Sequence, residues 1–177
     1  MHFWHDLEVG PKPPELLHAV VEIPKGSRNK YEIDKAGGFI KLDRVLYSSL
    51  VYPGDYGIIP RTLHDDGDPL DHLTIVTEPT FPGCVLTVRP IGLFGMLDRG
   101  DKDDKVLCVP LNDPLFSTWH DLKDLQPHFL REVAHFFEVY KDLEGQRTKV
   151  IGWQGRDAAH AEILRSMKLY ADSRAES

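Results

Sequence analysis

The stretch Asp66-Gly67-Asp68-Pro69-Leu70-Asp71 places three carboxylates within six residues and interrupts them with a Gly and a Pro. Gly tolerates backbone angles that other residues avoid, while Pro fixes its own φ and restricts Asp68 before it. A rigid turn that aims its carboxylates into one volume is therefore expected. Like charges held about 4 Å apart repel by roughly 4 kcal/mol per pair at an effective dielectric of about 20. A fold built on this chain must either bathe the turn in water or bring cations to it. Carboxylates and water are what hard Mg2+ prefers. Asp, Gly and Pro are also ordinary turn residues, so the hexapeptide taken alone fits a polar surface turn as well.

The segments around the turn read as short strands. Residues 1–18 form an N-terminal arm, because Pro11, Pro13 and Pro14 exclude a regular element there. Ala19 to Ile23 is an apolar run carrying Glu22. Residues 30–34 and 39–46 alternate polar and apolar on either side of Gly37-Gly38, the pattern of a hairpin. Lys30, Glu32 and Asp34 then share one face, and Arg44 shares a face with Ile40 and Leu42 unless a bulge intervenes. An Arg on such a face needs a buried partner or an anionic ligand, or else it snorkels to water. Residues 52–57 read as irregular, 73–77 as a buried strand, and 84–96 as a long strand bent at Pro90 and Gly92. A second acidic loop, 98–105, precedes a strand at 106–109. Short strands at this spacing predict a small closed or half-closed barrel.

After Pro110 the period changes. Pro127 opens a helix along which Phe129, Leu130, Val133, Phe136, Phe137 and Tyr140 recur until Gly145. A strand at 148–153 follows, then a helix capped by Asp157, then a frayed tail at 171–177. Residues 1–177 are read as one α+β domain.

Charge and composition narrow the partners. The chain carries 28 acids against 21 bases, which argues against nucleic acid, whose phosphates select basic surfaces. Cys84 and Cys108 lack CxxC spacing and sit in apolar runs, so buried free thiols are expected. The first residues have neither the basic start nor the apolar stretch of a signal peptide, and no run reaches membrane-spanning length. A reducing, cytoplasmic home without a membrane partner follows. Nine histidines show no HExxH or paired spacing, and His64 and His72 beside the acidic turn read as solvated or core residues.

If both acidic loops emerge at the same end of the barrel, Asp66, Asp68, Asp71, Asp98 and Asp103 converge. Five carboxylates together require more than one divalent ion, an arrangement suited to displacement at phosphorus. Lys30, Arg44, Lys105 and Lys141, with Tyr52, Tyr56 and Tyr140, supply the donors that phosphate needs. A barrel module for single-stranded nucleic acid is opposed by the acids. A Ca2+ loop of EF-hand type is opposed by the apolar strand directly after Asp71. A different phosphohydrolase using the same metals remains open.

The chain resembles the family I soluble inorganic pyrophosphatases. The resemblance is carried by Glu22-Ile23-Pro24, Lys30-Tyr31-Glu32-Ile33-Asp34-Lys35, Asp43-Arg44, Tyr52-Pro53-Gly54-Asp55-Tyr56-Gly57, the acidic turn, residues 98–105, and His135 to Glu144. It spans roughly residues 15 to 168 and implies a five-stranded OB-like β-barrel with flanking helices. It further implies hydrolysis of pyrophosphate to two phosphates with Mg2+, several ions per site, Mn2+ or Zn2+ being possible substitutes. By motif position Asp66, Asp71 and Asp103 resemble metal ligands, with Asp98 and Glu32 helping, and Asp68 resembles the general base. Lys30, Arg44, Tyr56, Lys105, Tyr140 and Lys141 match phosphate-holding positions, and Glu22 matches an acid acting through water. A homo-oligomer, a hexamer as in bacterial relatives, is implied too. Two departures stand out. Asp55 replaces the family's more frequent Asn and adds an acid near the site, and the loop 25–29 is a residue shorter than in some relatives.

Overall fold

The strand runs pair into a closed ring in the computed structural model, which describes residues 1–175. Strands β1 (Leu17–Ile23), β4 (Asp55–Ile58), β5 (Asp71–Thr74), β8 (Lys105–Pro110) and β6 (Val85–Asp98) are hydrogen-bonded in that order. The ring closes because β6 also pairs with β1. Every ladder of the ring is antiparallel except β5 against β8, which is parallel. Outside it, β7 (Asp101–Lys102) and β9 (Thr148–Gly155) lie on β6, while β2 (Asn29–Ile33) and β3 (Ile40–Val45) make a separate hairpin. A five-stranded ring with two flanking helices is the OB-like α+β architecture expected.

The strand at 55–58 was hidden by its own composition. A Cβ on Gly57 would lie 2.0 Å from the Val20 carbonyl oxygen, so glycine is what lets β4 press against β1. The same glycine weakens the strand signal. Along β6 the pairing with β8 slips between Pro90 and Gly92, the bend those residues announced.

Helix α1 (Pro127–Val139) begins on Pro127, where a missing N–H costs nothing. A short 3-10 turn, Asp142–Glu144, carries the chain on to Gly145 at φ 73°. Helix α2 (Arg156–Ala175) starts one residue before Asp157, which lies inside the first turn rather than at the cap. It also continues into the stretch expected to be a frayed tail, of which residues 176–177 lie outside the described part. Among the described residues no helix is long and apolar enough to cross a membrane. Cys108 is buried, Cys84 is half-buried, and both are free thiols.

Three apolar clusters fix these parts together. The largest joins Val133, Phe136, Phe137 and Tyr140 to Tyr52, Tyr56, Phe94 and Leu107. A second seats Ala159 and Ile163 of α2 on Leu17, Ala19, Leu93 and Val106. The third ties the hairpin to the ring through Ile33, Val20 and Ile58, with Phe3, Trp4 and Leu7 of the N-terminal arm packed against them.

Candidate active site

Parallel pairing of β5 with β8 brings Asp71 into register with Lys105, so the loops leading into both strands lie at the same end of the ring. Between them opens a cleft of about 850 Å³. The acidic turn reaches it as a pinned structure. Asp66 Oδ1 accepts the Asp68 N–H at 2.9 Å, Gly67 takes φ 85°, and the His64 N–H donates to the Asp68 carbonyl at 2.7 Å. Leu70, fully buried, donates its N–H to Thr62 Oγ1 and anchors the exit of the turn.

The two loops meet on one cation. Lys105 Nζ donates to Asp103 Oδ1 at 2.8 Å, to Asp71 Oδ2 at 3.0 Å and to the Tyr56 hydroxyl at 2.9 Å. It also lies 5.1 Å from the centroid of the Phe137 ring. Burial opposes charge on this ammonium, but Asp103 and Asp71 outweigh it and raise its pKa. Tyr56 donates its hydroxyl to Asp71, and burial holds it and Tyr140 far above the ordinary phenol range, so both stay protonated donors. On the opposite wall Lys141 donates to Asp98. Asp66 is raised, first by burial and then, against the Asp68 N–H, by the charges of Asp68, Asp71 and Asp103. Crowding of like charges is thus written into the site.

The hairpin supplies the third side. Its register slips between Lys30 and Tyr31, which face Arg44 and Leu42, so Asp43 is the extra residue of a bulge. That bulge removes Arg44 from the face of Leu42, the exception the alternation had left open. Lys30 Nζ then stands 3.3 Å from Asp43 Oδ2, and Arg44 pairs with Asp43 and with Glu144 beyond the end of α1. Glu22, 8% exposed, accepts the Ile33 N–H at 2.7 Å. Burial pushes its carboxyl up to about 8, against that hydrogen bond and with the help of the Asp71 charge.

A family model described as inorganic pyrophosphatase matches residues 19–171. The chain belongs to the inorganic pyrophosphatase family. It is 46% identical over 170 residues to an inorganic pyrophosphatase of Picrophilus torridus, covering 96% of each chain. Identity to soluble inorganic pyrophosphatase 3 of Arabidopsis thaliana is 52% over 171 residues, 97% of this chain and 79% of that one. The crystal structure of the inorganic pyrophosphatase from Thermus thermophilus superposes with a TM-score of 0.93 at 45% identity, covering 97% and 99% of the two chains.

Within this pyrophosphatase fold Glu22, Lys30, Glu32, Arg44, Tyr56, Asp66, Asp68, Asp71, Asp98, Asp103, Tyr140 and Lys141 all line the cleft. Lys105 does not. It sits beneath the wall with its side chain 2% exposed. Tyr52 belongs to the aromatic core and is 1% exposed. Asp55 corrects an expectation, since it is fully buried away from the cleft. Its carboxylate accepts the N–H groups of Lys25 and Thr80 and the Thr80 hydroxyl, and so brackets two loops.

Several cleft residues carried no assignment from the sequence. Trp4 arrives from the arm, its indole N–H fixed on the Thr62 carbonyl at 2.8 Å. Lys35 reaches from the hairpin turn to Asp68 Oδ1, and Lys41 pairs with Glu32 and Asp34. The motif stretch ending in Lys35 was the available signal for that residue. For Trp4 only the fold reveals its place. His64 sits off the cleft with Asp104 and Glu162, all three buried, their ligand atoms within 4.8 Å of one another.

The acids fit a hard divalent cation. The donor set is all oxygen. Among the described residues Asp98 Oδ1 is buried without a hydrogen-bond partner, and an unpaired buried acceptor of this kind is costly unless a cation satisfies it.

Proposed function

We propose that the chain hydrolyses inorganic pyrophosphate to two phosphates with Mg2+ as its cation and Asp68 as general base. The observation that carries this reading is one cleft in which carboxylates of two acidic loops face a wall of Lys30, Arg44 and Lys141. Such a site suits a compact polyanion whose own charge repels any attacking oxygen. Asp66, Asp71 and Asp103 would hold the cations, several per site, with Asp98 and Glu32 assisting. Bound Mg2+ supplies charge screening and lowers the pKa of water.

The chain's own groups supply the rest. Lys30, Arg44 and Lys141 neutralise phosphate oxygens, Arg44 as a bidentate fork, and the protonated Tyr56 and Tyr140 donate to them. An ammonium has three donors, and Lys105 uses all of them on Tyr56, Asp71 and Asp103. It reaches a phosphate by exchanging one of these partners, which couples its movement to neutralisation of the acids. Lys35 engages Asp68 Oδ1, and Oδ2 is the atom assigned to take the proton from the attacking water. Glu22 keeps the hairpin in place through the Ile33 N–H and would act on the site through water. Assembly as a homo-oligomer, a hexamer by resemblance, and a cytoplasmic setting belong to the same proposal.

Phosphate release is the test. Purified protein is given pyrophosphate, ATP or a phosphomonoester, with Mg2+ and with EDTA. The reading expects release from pyrophosphate in Mg2+ alone. Equal release from the phosphomonoester, or release in EDTA, would overturn it.

A further inference from the structure

The acids of the cleft come from two loops that repel each other, yet both loops are tied from behind to a single helix. His64, directly ahead of the acidic turn, has Nε2 3.3 Å from Glu162 Oε1 and 3.7 Å from Asp104 Oδ2. Asp104 is the neighbour of Asp103, and Glu162 projects from the middle of α2. The side chains of His64, Asp104 and Glu162 are 2%, 4% and 8% exposed, and none of the three lines the cleft.

Surrounding cations complete the cluster. Arg165 Nε lies 3.1 Å from each oxygen of Glu162, and its other nitrogens hold Asp65 at 2.9 and 3.0 Å. Lys102 Nζ lies 3.1 Å from Asp104 Oδ2 and 3.9 Å from Glu162 Oε2. Main-chain ties run alongside, since the Leu63 N–H donates to the Ser166 carbonyl at 2.9 Å. The carboxylates of Asp65, Asp104 and Glu162 thus face the side chains of His64, Lys102 and Arg165. A network with this buried centre and half-exposed rim holds one geometry, and removing a buried member leaves its partner unpaired.

We propose that His64, Asp104 and Glu162 are positioning residues that lock both acidic loops onto α2 and thereby set how tightly the cleft carboxylates take up divalent cations. The inference rests on the reading of those carboxylates as cation ligands. His64 also closes the acidic turn through its backbone, donating to the Asp68 carbonyl and accepting the Gly67 N–H at 3.1 Å. A shift of His64 is therefore a shift of Asp66 and Asp68. Asp104 transmits in the same way to Asp103, one peptide away. A preorganised ligand set binds more tightly because the ordering cost is met in folding. Groups that orient ligands from behind typically change metal affinity by about 10–100-fold when replaced.

The test uses the full chain and Mn2+ as the probe, titrated by electron paramagnetic resonance without pyrophosphate. Glu162→Gln keeps size and removes charge, and it is expected to weaken Mn2+ binding by about tenfold or more. In the hydrolysis assay the same variant should need correspondingly more Mg2+ for half-maximal rate and regain most of its kcat when Mg2+ saturates. Asp104→Asn combined with Glu162→Gln should cost less than the two singly, since both release the same lock. Lys168→Ala, which removes an exposed pair with Asp172 on the same helix, should leave Mn2+ affinity unchanged. Should Glu162→Gln fail to fold, Lys102→Met perturbs the half-exposed edge of the cluster and carries the same expectation in smaller measure.

Two results would overturn the proposal. One is a lowered melting temperature with Mn2+ affinity within twofold of the parent, which makes the cluster a brace only. The other is one fewer Mn2+ bound in the variant at unchanged affinity, which makes the trio a cation site itself. A parent that binds Mn2+ but hydrolyses no pyrophosphate would sink the functional reading and leave the lock testable by titration alone.

Discussion

Replacing Lys105 by Met separates the two tasks assigned to this buried ammonium. The side chain keeps its length and its contact with the Phe137 ring but loses the charge that Asp71 and Asp103 share. Both carboxylate oxygens touch the same nitrogen, so at roughly 5 Å and an effective dielectric of about 20 their mutual repulsion is about 3 kcal/mol. Removing one partner from a buried pair costs about 3–5 kcal/mol in general, because the remaining charge is stranded. The gain in apolar packing from a Met methyl is nearer 1 kcal/mol and does not offset this. Urea unfolding in EDTA should therefore show the variant about 3 kcal/mol less stable than the parent. Adding Mg2+ should restore more stability to the variant than to the parent, because the cation takes over the neutralising role and no longer competes with an ammonium. Pyrophosphate turnover should fall nonetheless. A variant as stable as the parent in EDTA, or one that Mg2+ stabilises less than the parent, would refute this account of how the acids are held together.

Asp68→Asn should fold and bind Mn2+ as the parent does while turnover drops by about a hundredfold or more, the scale of a lost general base. Full turnover in that variant would remove Asp68 from proton transfer. Arg44→Ala should raise KM for pyrophosphate by about 10–100-fold, the value of a charged hydrogen bond of about 1.5–3 kcal/mol, with a smaller change in kcat. Equal KM in the two proteins would contradict its phosphate role. His72 is buried with Nε2 3.0 Å from the Val20 carbonyl, and burial lowers its pKa to about 4. Its folded value lies below the unfolded 6.5, so its contribution is whole above pH 6.5 and is lost as pH falls through 4. His72→Asn should thus flatten the stability profile between pH 6.5 and 4 by about 3 kcal/mol, read by urea unfolding at each pH. An unchanged slope would mean that the imidazole charges without penalty.

Much of this site was legible in the sequence because its signals are local. A turn with a Gly at positive φ and a Pro that stiffens Asp68 announces itself in six residues, and Pro90 and Gly92 mark a bend wherever they occur in a strand. What escaped notice depends on partners distant in the chain. Asp55 reads as one more acid near the cleft, but N–H groups of Lys25 and Thr80 turn it inward. Strand β4 is concealed by the glycine that allows its approach to β1. Asp43 becomes a bulge only when Arg44 is paired with Lys30, and the side of the hairpin that Arg44 takes follows from that slip. Trp4 reaches the cleft because the Thr62 carbonyl holds it there, 58 residues away in sequence. The lock of His64, Asp104 and Glu162 joins three segments, and no spacing rule within any one of them points to the others.

Where cations bind is the most direct measurement of the site. Crystals grown with Mn2+ and measured near its absorption edge should show anomalous peaks among the carboxylates of Asp66, Asp71 and Asp103, with further density toward Asp98 and Glu32. Peaks confined to His64, Asp104 and Glu162, or a cleft without Mn2+ at saturating concentration, would contradict it.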